Sequence, residues 1–302
     1  SLGGPAERYA LIDSLRVDYS ITELCDALDV SPSGYYAARR RTPSPRHQLN
    51  QVLLTAMHAI PQHRHTRAYG SPRMTRELRA QGLRASENRV ARLMRDHHLR
   101  ARPRRPFRPK TTRPDHAACP SPNLLAAAPP PQAPGTHLVS DITYLPTREG
   151  WLYLVIILDL FSRAVIAWRL APSLHAAFVV DALRRALASR RVAPGALFHS
   201  DRGCQYTATT TRAALAAAGL RQSMSAAGCC YDNAFAESTF ASLKHEILPE
   251  HQPFASFAHA RLAVFDYLET FYNRRRLHSA LGYRTPLAIL DSHFPKPQPS
   301  LT

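Results

Sequence analysis

The spacing of hydrophobic and polar positions changes near residue 135: helical periods come before it, and strand-like alternation and continuous apolar runs come after. In the first part, Ser20 is placed to cap a short helix through Leu28, followed by the turn Asp29-Val30-Ser31. A second start follows at Pro32-Ser33, where proline suits the first helical position, so the pair reads as a helix-turn-helix. Another pair spans residues 72–81 and 86–98, broken at Gly82 and restarted by Ser86. In its second helix Val90, Leu93, Met94 and His97 form the packed stripe, while Arg89, Arg92 and Arg95 lie elsewhere on the surface. Such a helix suits a DNA groove, and its plainer reading is a solvated arginine-rich face.

Residues 138–146 (LVSDITYLP) alternate, Gly150 marks a turn, and 151–161 (WLYLVIILDLF) form the apolar run of a central strand. A third strand over 164–170 follows a tight turn at Ser162-Arg163. Ser173 then opens a helix to about residue 189, and Ala196-Leu197-Phe198 leads into His199-Ser200-Asp201. Strand, helix, strand of this length is a crossover, which makes the fourth strand parallel to a neighbour in one mixed sheet. Asp232-Asn233 can cap a helix reaching Ile247. Phe257, Val264, Leu268 and Phe271 mark a further amphipathic helix whose basic end, Asn273 to Arg276 with His278, either touches DNA or caps the helix.

Charge adds a partner to this picture. The 302 residues carry 39 Lys+Arg against 22 Asp+Glu, a net +17 with a pI near 10.4, so a polyanion such as nucleic acid is expected. Residues 1–114 hold 22 of the basic side chains and 9 of the acidic ones, which concentrates the field in the N-terminal third. Between Pro103 and Pro134 lie 10 of the 25 prolines, a composition expected to form an extended linker without helix. Five cysteines without a C-x-x-C pair support neither a disulfide framework nor a zinc ribbon, and fit a reducing cytoplasm. The run 151–161 is too short for a membrane span and contains Asp159, so no membrane partner is expected. The chain begins with Ser and shows no secretory pattern, which suggests trimming or a longer parent product.

Three carboxylates stand out as candidate chemistry. Asp141 lies in the first strand, Asp201 ends the fourth, and Glu237 opens the helix after Asn233, a D-x59-D-x35-E spacing. Acids on neighbouring strands can face each other at one sheet edge, with a helical acid closing the site from the side. Converging carboxylates repel unless divalent cations neutralise them, and hard oxygen donors suit Mg²⁺ or Mn²⁺. Two such ions, about 3.5–4 Å apart, clamp the attacking and leaving oxygens of a phosphoryl transfer. On the helix, Ala236, Phe240, Leu243 and Ile247 form the packing stripe, while Glu237, Ala241 and Lys244 share the adjacent edge. His199 and Arg202 flank Asp201 and are candidates to contact phosphate, with local scaffolding as the alternative. Asp159 reads as a hydrogen-bonded turn residue. His58, His63, His65, His97 and His98 lack cysteines at zinc spacing and read as surface or DNA-facing histidines.

The segments DITYLPTREGWLYLVIILDLFSR, HSDRGCQYT, QSMSAAG, YDNAFAESTFASLKHE and YNRRRLHSALGYRTP occur in this order. Together they resemble the transposases of the insertion-sequence-three family, in the second-frame type. The segments AYGSPRM and ENRVARLMRDHHL resemble that family's N-terminal helical region. The resemblance implies an integrase-type, ribonuclease-H-like α/β core with a mixed sheet, preceded by an all-α helix-turn-helix region and followed by a helical extension. With the domain boundary read from the proline-rich composition, the resemblance divides the chain into a DNA-binding region at 1–102, a Pro/Ala-rich basic linker at 103–134, a catalytic core at 135–250 and a C-terminal extension at 251–302. It places Asp141, Asp201 and Glu237 at the catalytic, metal-binding acids, with two Mg²⁺ or Mn²⁺ ions, and Lys244 at a basic residue contacting the element end. It further implies cleavage and strand transfer on double-stranded DNA, both element ends and target, by a homo-oligomer of two or more subunits. An upstream-frame protein or fusion, and a cytoplasmic, nucleoid-associated location in bacteria, go with it. Arg89, Arg92, Arg95, Arg100 and Arg102 are then the candidate DNA contacts. The alternatives are a catalytically inactive transposase-derived regulator and a ribonuclease-H-like nuclease.

Overall fold

The computed structural model describes residues 4–62, 65–101, 121–226, 234–248 and 252–294. The chain separates into two compact units, residues 1–56 and 57–302.

The first unit holds α1 (Pro5–Leu15), α2 (Ile21–Ala27) and α3 (Pro32–Arg40), together with most of α4 (Pro45–Ala59). Ser20 and Glu23 form a reciprocal capping box at the start of α2. Asp29 takes a left-handed conformation at φ 51° in the turn, and Ser31 caps α3 with Pro32 in its first turn. Ile12, Leu24, Cys25 and Tyr35 make the small core of this helical unit, and the Tyr35 hydroxyl donates to Asp13 Oδ1 at 2.8 Å. The turn and both helix starts are those expected from the sequence.

The second unit opens with α5 (Ser71–Ala80) and α6 (Glu87–Asp96), separated by Gly82 at φ 82°. Val90, Leu93 and Met94 are buried as expected, but His97 is exposed because the helix ends at Asp96 and leaves it at the cap. His65 is not a surface histidine either. Its ring is buried, lies 5.0 Å from the Phe271 ring and bonds Asp266 Oδ2 at 2.8 Å. His63 lies outside the described residues.

The sheet is built from β1 (His137–Thr147), β2 (Gly150–Asp159), β3 (Val165–Ala171), β4 (Leu197–Ser200) and β5 (Arg221–Met224) in the order β3-β2-β1-β4-β5. The first three are antiparallel neighbours, whereas β4 and β5 join β1 in parallel, which gives the mixed ribonuclease-H-like sheet. Between the described residues 101 and 137 lies α7 (Leu124–Ala127); α8 (Ala176–Ala188) makes the crossover into β4 and α9 (Cys204–Thr207) with α10 (Thr209–Ala217) the one into β5. The helix α8 starts three residues later than the Ser173 expectation, with His175 at its cap. Leu138, Val155, Ile157, Phe178, Leu183, Phe198 and Leu215 fill the layer under α8 and α10.

The part of the proline-rich stretch that is described is not an extended linker. Asn123 caps the four-residue α7, whose Leu125 N–H bonds Ser223 Oγ at 3.1 Å, and Met224 N–H reaches Pro122 O at 3.3 Å. Proline sits before and after this turn, where it does not break it.

On the other face, α11 (Ala234–Ile247) buries Ala236, Phe240, Leu243 and Ile247, the stripe expected from its spacing. The C-terminal segment follows as α12 (Phe257–Phe265), a π-helical continuation Asp266–Tyr272, and α13 (Pro286–His293). Asn273 is buried and exchanges hydrogen bonds with both backbone groups of Val165 at 3.0 Å, while Arg276 is 4% exposed. The basic end is therefore split: two of its members hold the fold, and Arg274 and Arg275 are exposed. Arg274 Nε donates to the Glu269 carbonyl at 2.9 Å, which is a helix-end contact.

Candidate catalytic site

The site is placed by the way β1 and β4 part. They pair only through His137↔Leu197, Leu138↔Phe198 and Val139↔His199, while β1 continues along β2 to Thr147. Asp141 and Asp201 each stand two residues beyond the last of these pairs, so the offset between them equals the register offset of the two strands. They occupy matching positions where two adjacent parallel strands diverge at their carboxyl ends, the usual location of a site in an open α/β sheet.

Tyr206 forms the floor. It is 1% exposed, and its hydroxyl meets Ser140 Oγ at 2.8 Å. The Ser140 hydroxyl donates to Ile156 O at 2.9 Å, so the proton shared with Tyr206 comes from the tyrosine. Burial pushes the Tyr206 pKa well up, and the charges of Asp141 and Asp201 add to that push, which marks both acids as its neighbours. One oxygen of each acid is oriented by a backbone amide: Asp141 Oδ1 accepts from Ile142 at 2.8 Å and Asp201 Oδ1 from Gly203 at 3.0 Å.

Lys244 reaches the same crevice from α11. Burial lowers its pKa to about 8, opposed by the attraction of Asp141. Its Nζ lies 4.6 Å from the centre of the Tyr144 ring. Glu237 stands two turns earlier on this helix and is exposed. Among the described residues no three His, Cys, Asp or Glu side chains converge closely enough to hold a metal ion together. The structure thus brings Asp141, Asp201 and Lys244 to one crevice and leaves Glu237 alongside it. The residues expected to cap α11, Asp232 and Asn233, lie outside the described residues.

His199 is not placed to contact DNA. It is 0% exposed, and its ring nitrogens meet Ser223 Oγ at 2.9 Å and Ser225 Oγ at 3.1 Å. Arg202 has the scaffolding role in part, since its Nε donates to Ser225 O at 2.8 Å. Together they fasten the end of β4 to that of β5. Asp159 is the turn residue expected: fully buried, it accepts from Gly135 N–H at 2.8 Å and from Ser162 N–H at 2.7 Å. Ser140, Tyr144, Ser223 and Ser225 escaped the sequence reading; a serine inside an apolar strand next to Asp141 was the signal available for the first.

In the helical region Arg89 and Arg92 are half-buried, whereas Arg95 and Arg100 are exposed; Arg102 lies outside the described residues. Arg79, Arg84 and Arg89 line an open hollow of about 840 Å³ at the start of α6.

Residues 131–230 match the family model described as an integrase core domain, 218–286 match a second integrase core domain model, and 48–107 match an HTH-like domain. The molecule is an integrase-core protein with a helix-turn-helix-like region ahead of the core. The chain is 42% identical over 286 residues to the transposase InsF for insertion sequence IS3A of Escherichia coli (strain K12), covering 92% of this chain and 96% of that protein. It is 38% identical to the insertion element IS600 uncharacterized 31 kDa protein of Shigella sonnei, covering 89% and 98%. The chain belongs to the IS3 family of DDE-type transposases, and its function is DNA transposition. Among solved structures it is similar to a simian T-cell lymphotropic virus intasome chain, with TM-score 0.45, 14% identity and coverage of 78% and 75%. The HTLV-2 integrase catalytic core domain in complex with magnesium gives TM-score 0.41, 15% identity and coverage of 53% and 98%. Among the described residues no helix is long and apolar enough to cross a membrane.

Proposed function

We propose that Asp141, Asp201 and Glu237 are the catalytic acids of this transposase and that they hold two divalent cations, Mg²⁺ or Mn²⁺. The observation that carries the reading is the matched position of Asp141 and Asp201 just past the last β1–β4 pair. The donor set fits such ions: two carboxylates, each oriented through one oxygen, stand at an open crevice beside a helix that supplies a third. Divalent ions bound there supply charge neutralisation at the attacking and leaving oxygens of a phosphodiester.

The chain's own groups do the rest. Hydrolysis at the element end breaks the bridging bond to the 3′ oxygen and leaves a 3′ hydroxyl. That hydroxyl then attacks a second phosphodiester, forming one O–P bond as another breaks. The Lys244 ammonium, charged below about pH 8, binds a phosphate next to Asp141. The neutral Tyr206 hydroxyl fixes Ser140 and with it the β1 backbone from which Asp141 projects. Residues 1–102 bind the element ends, with Arg89, Arg92, Arg95, Arg100 and Arg102 neutralising DNA phosphates. Two or more subunits bridge two ends and the target DNA in the bacterial cytoplasm, and an upstream-frame segment joins the assembly.

Labelled duplexes made from the flanking inverted repeats, incubated with Mg²⁺ or Mn²⁺, test this. Wild type is expected to give nicked and joined products, and Glu237→Gln neither, with DNA binding retained. Joining by the variant at the wild-type rate would remove Glu237 from the site, and cleavage without joining would favour a nuclease.

A further inference from the structure

Beside the acids lies a row of side chains that the strand-transfer chemistry does not use. Tyr144 stands three residues along β1 from Asp141, and Trp151 lies across the hairpin, opposite Pro146. The two rings meet edge to face, with centroids 4.8 Å apart and planes at 85°. Lys244 Nζ sits 4.6 Å from the Tyr144 ring on its way to Asp141, so acid, ammonium and two aromatic rings follow one another. Trp151 is 52% exposed, although indole is among the costliest side chains to leave in water.

The hairpin that carries it is braced. Arg148 N–H bonds Phe254 O and Phe254 N–H bonds Pro146 O, both at 2.9 Å, and Phe257 N–H reaches Glu149 Oε2 at 2.6 Å. Phe254 itself is fully buried. A rigid aromatic surface next to a half-buried ammonium is the combination that holds single-stranded nucleic acid: the ring stacks a base, and the cation takes the adjoining phosphate. Beyond Val139 the edge of β1 is not paired with β4, and β1 runs on past Asp141 to this hairpin.

We propose that Trp151, backed by Tyr144 and assisted by Lys244, is a stacking subsite for an unpaired base of the DNA end. The proposal rests on the reading of Asp141 as a catalytic acid and goes beyond it. Trp151 stands opposite Pro146, five residues of strand from Asp141, a span of about 17 Å. That is about five nucleotide rises, so the stacked base is about the fifth from the scissile phosphate. Stacking there separates the strands at the end and holds the scissile phosphate against the acids.

The test compares binding of the full chain, without divalent metal, to element ends that are blunt and to ends whose last five nucleotides are unpaired. A fluorescent 2-aminopurine replaces the fifth base. Wild type is expected to quench this probe in the unpaired end. Trp151→Ala should abolish the quench and weaken binding of the unpaired end by ~5- to 150-fold, the range of base–aromatic stacking, with less than twofold loss for the blunt end. Trp151→Phe should retain most of both. Equal losses on both ends, no loss, or a Phe variant as poor as Ala would overturn the subsite. So would masking of Trp151 by self-association of the chain without DNA.

Should Trp151→Ala fail to fold, Trp168→Phe leaves Trp151 as the one remaining tryptophan. Quenching of its own emission by the unpaired end then supports the proposal, and unchanged emission refutes it. Asp201→Asn separates the two readings. An inactive variant with a normal quench supports both; activity retained in it defeats the acid assignment alone, and an inactive variant beside an unaffected Trp151→Ala defeats the stacking subsite alone.

Discussion

Arg276→Met tests the join between α11 and the C-terminal segment. Arg276 grips Glu246 of α11 through Nε, at 3.2 Å from both carboxylate oxygens, and through Nη2, at 2.9 Å from Oε1. Both side chains are all but excluded from water, at 4% and 3% exposure. Tyr267 donates its hydroxyl to Glu246 Oε2 at 2.9 Å, and its proton is secure because burial first, and the Glu246 charge second, push its pKa well up. Burial works against the charge on Arg276, but Tyr267 and Glu246 more than offset it and hold its pKa above the ordinary value.

The substitution removes a full charge and the guanidinium donors facing Glu246, leaving a buried carboxylate beside the Tyr267 hydroxyl at 2.9 Å. Orphaning one member of such a pair costs about 3–5 kcal/mol. A domain's whole stability is about 5–15 kcal/mol, so the variant should sit near the edge of folding at 37 °C. Urea unfolding followed by circular dichroism should show a midpoint lowered by the corresponding amount at an unchanged slope. Glu246→Leu with Arg276→Met should recover most of the loss, because an apolar pair of similar volume carries no desolvation penalty. A single variant within about 1 kcal/mol of wild type, or a double variant as unstable as the single, would refute the reasoning.

Two further substitutions read the site and its surroundings. A Cβ added at Gly203 would lie 3.0 Å from Asp201 Oδ1 and 3.2 Å from Gln205 Oε1, while the backbone there needs no positive φ. Gly203→Ala should therefore displace the carboxylate and slow strand transfer by about tenfold or more, with a stability change below about 1 kcal/mol. Single-turnover joining and thermal unfolding check it, and full activity would show that Asp201 tolerates the shift. His278 has its pKa pushed down to about 3, first by burial and then by Arg276, Arg73 and Arg163. The unfolded chain takes up this proton first, near pH 6.5, so stability is fully present above that value. It should fall by about 1.4 kcal/mol per unit as pH drops below it. His278→Gln should flatten the slope between pH 5 and 6.5, and parallel slopes in urea titrations would contradict the assignment.

What could be read in advance was what depends on near neighbours. Ser20 announced a helix cap, which Glu23 completes as a capping box, and the alternation of 138–146 followed by Gly150 announced a hairpin. The D-x59-D spacing could be read as two strand-borne acids, and the β1–β4 register explains why it is the spacing it is. What could not be read depended on distant partners. His199 looks like a phosphate ligand beside Asp201 until Ser223 and Ser225 arrive on β5 to occupy its ring. His65 looks like a surface histidine until Asp266, 201 residues later, meets it. The run Asn273 to Arg276 looks like one basic patch, yet its first and last members turn inward because Val165 and Glu246 are there to receive them. Periodicity describes which way a side chain points, not what it meets.

These distant contacts divide responsibility for the site. Asp141 and Asp201 are held by the sheet, through the β1–β4 register, the Ser140–Tyr206 bond and the serines that lock the end of β4. Glu237 and Lys244 belong to α11, which packs on β1 through Ala236 and Val139 and is tied to the C-terminal segment by hydrogen bonds: Glu246 to Arg276 and Tyr267, and Thr239 to the Tyr272 hydroxyl at 3.4 Å. Tyr272 also donates to Arg163 O at 3.2 Å, and the Arg163 guanidinium lies 3.7 Å from the Phe235 ring centre, one turn before Thr239. Glu237 is therefore set both by the C-terminal segment and by β1, the strand that also carries Asp141, because Ala236 next to it packs with Val139 and Leu160.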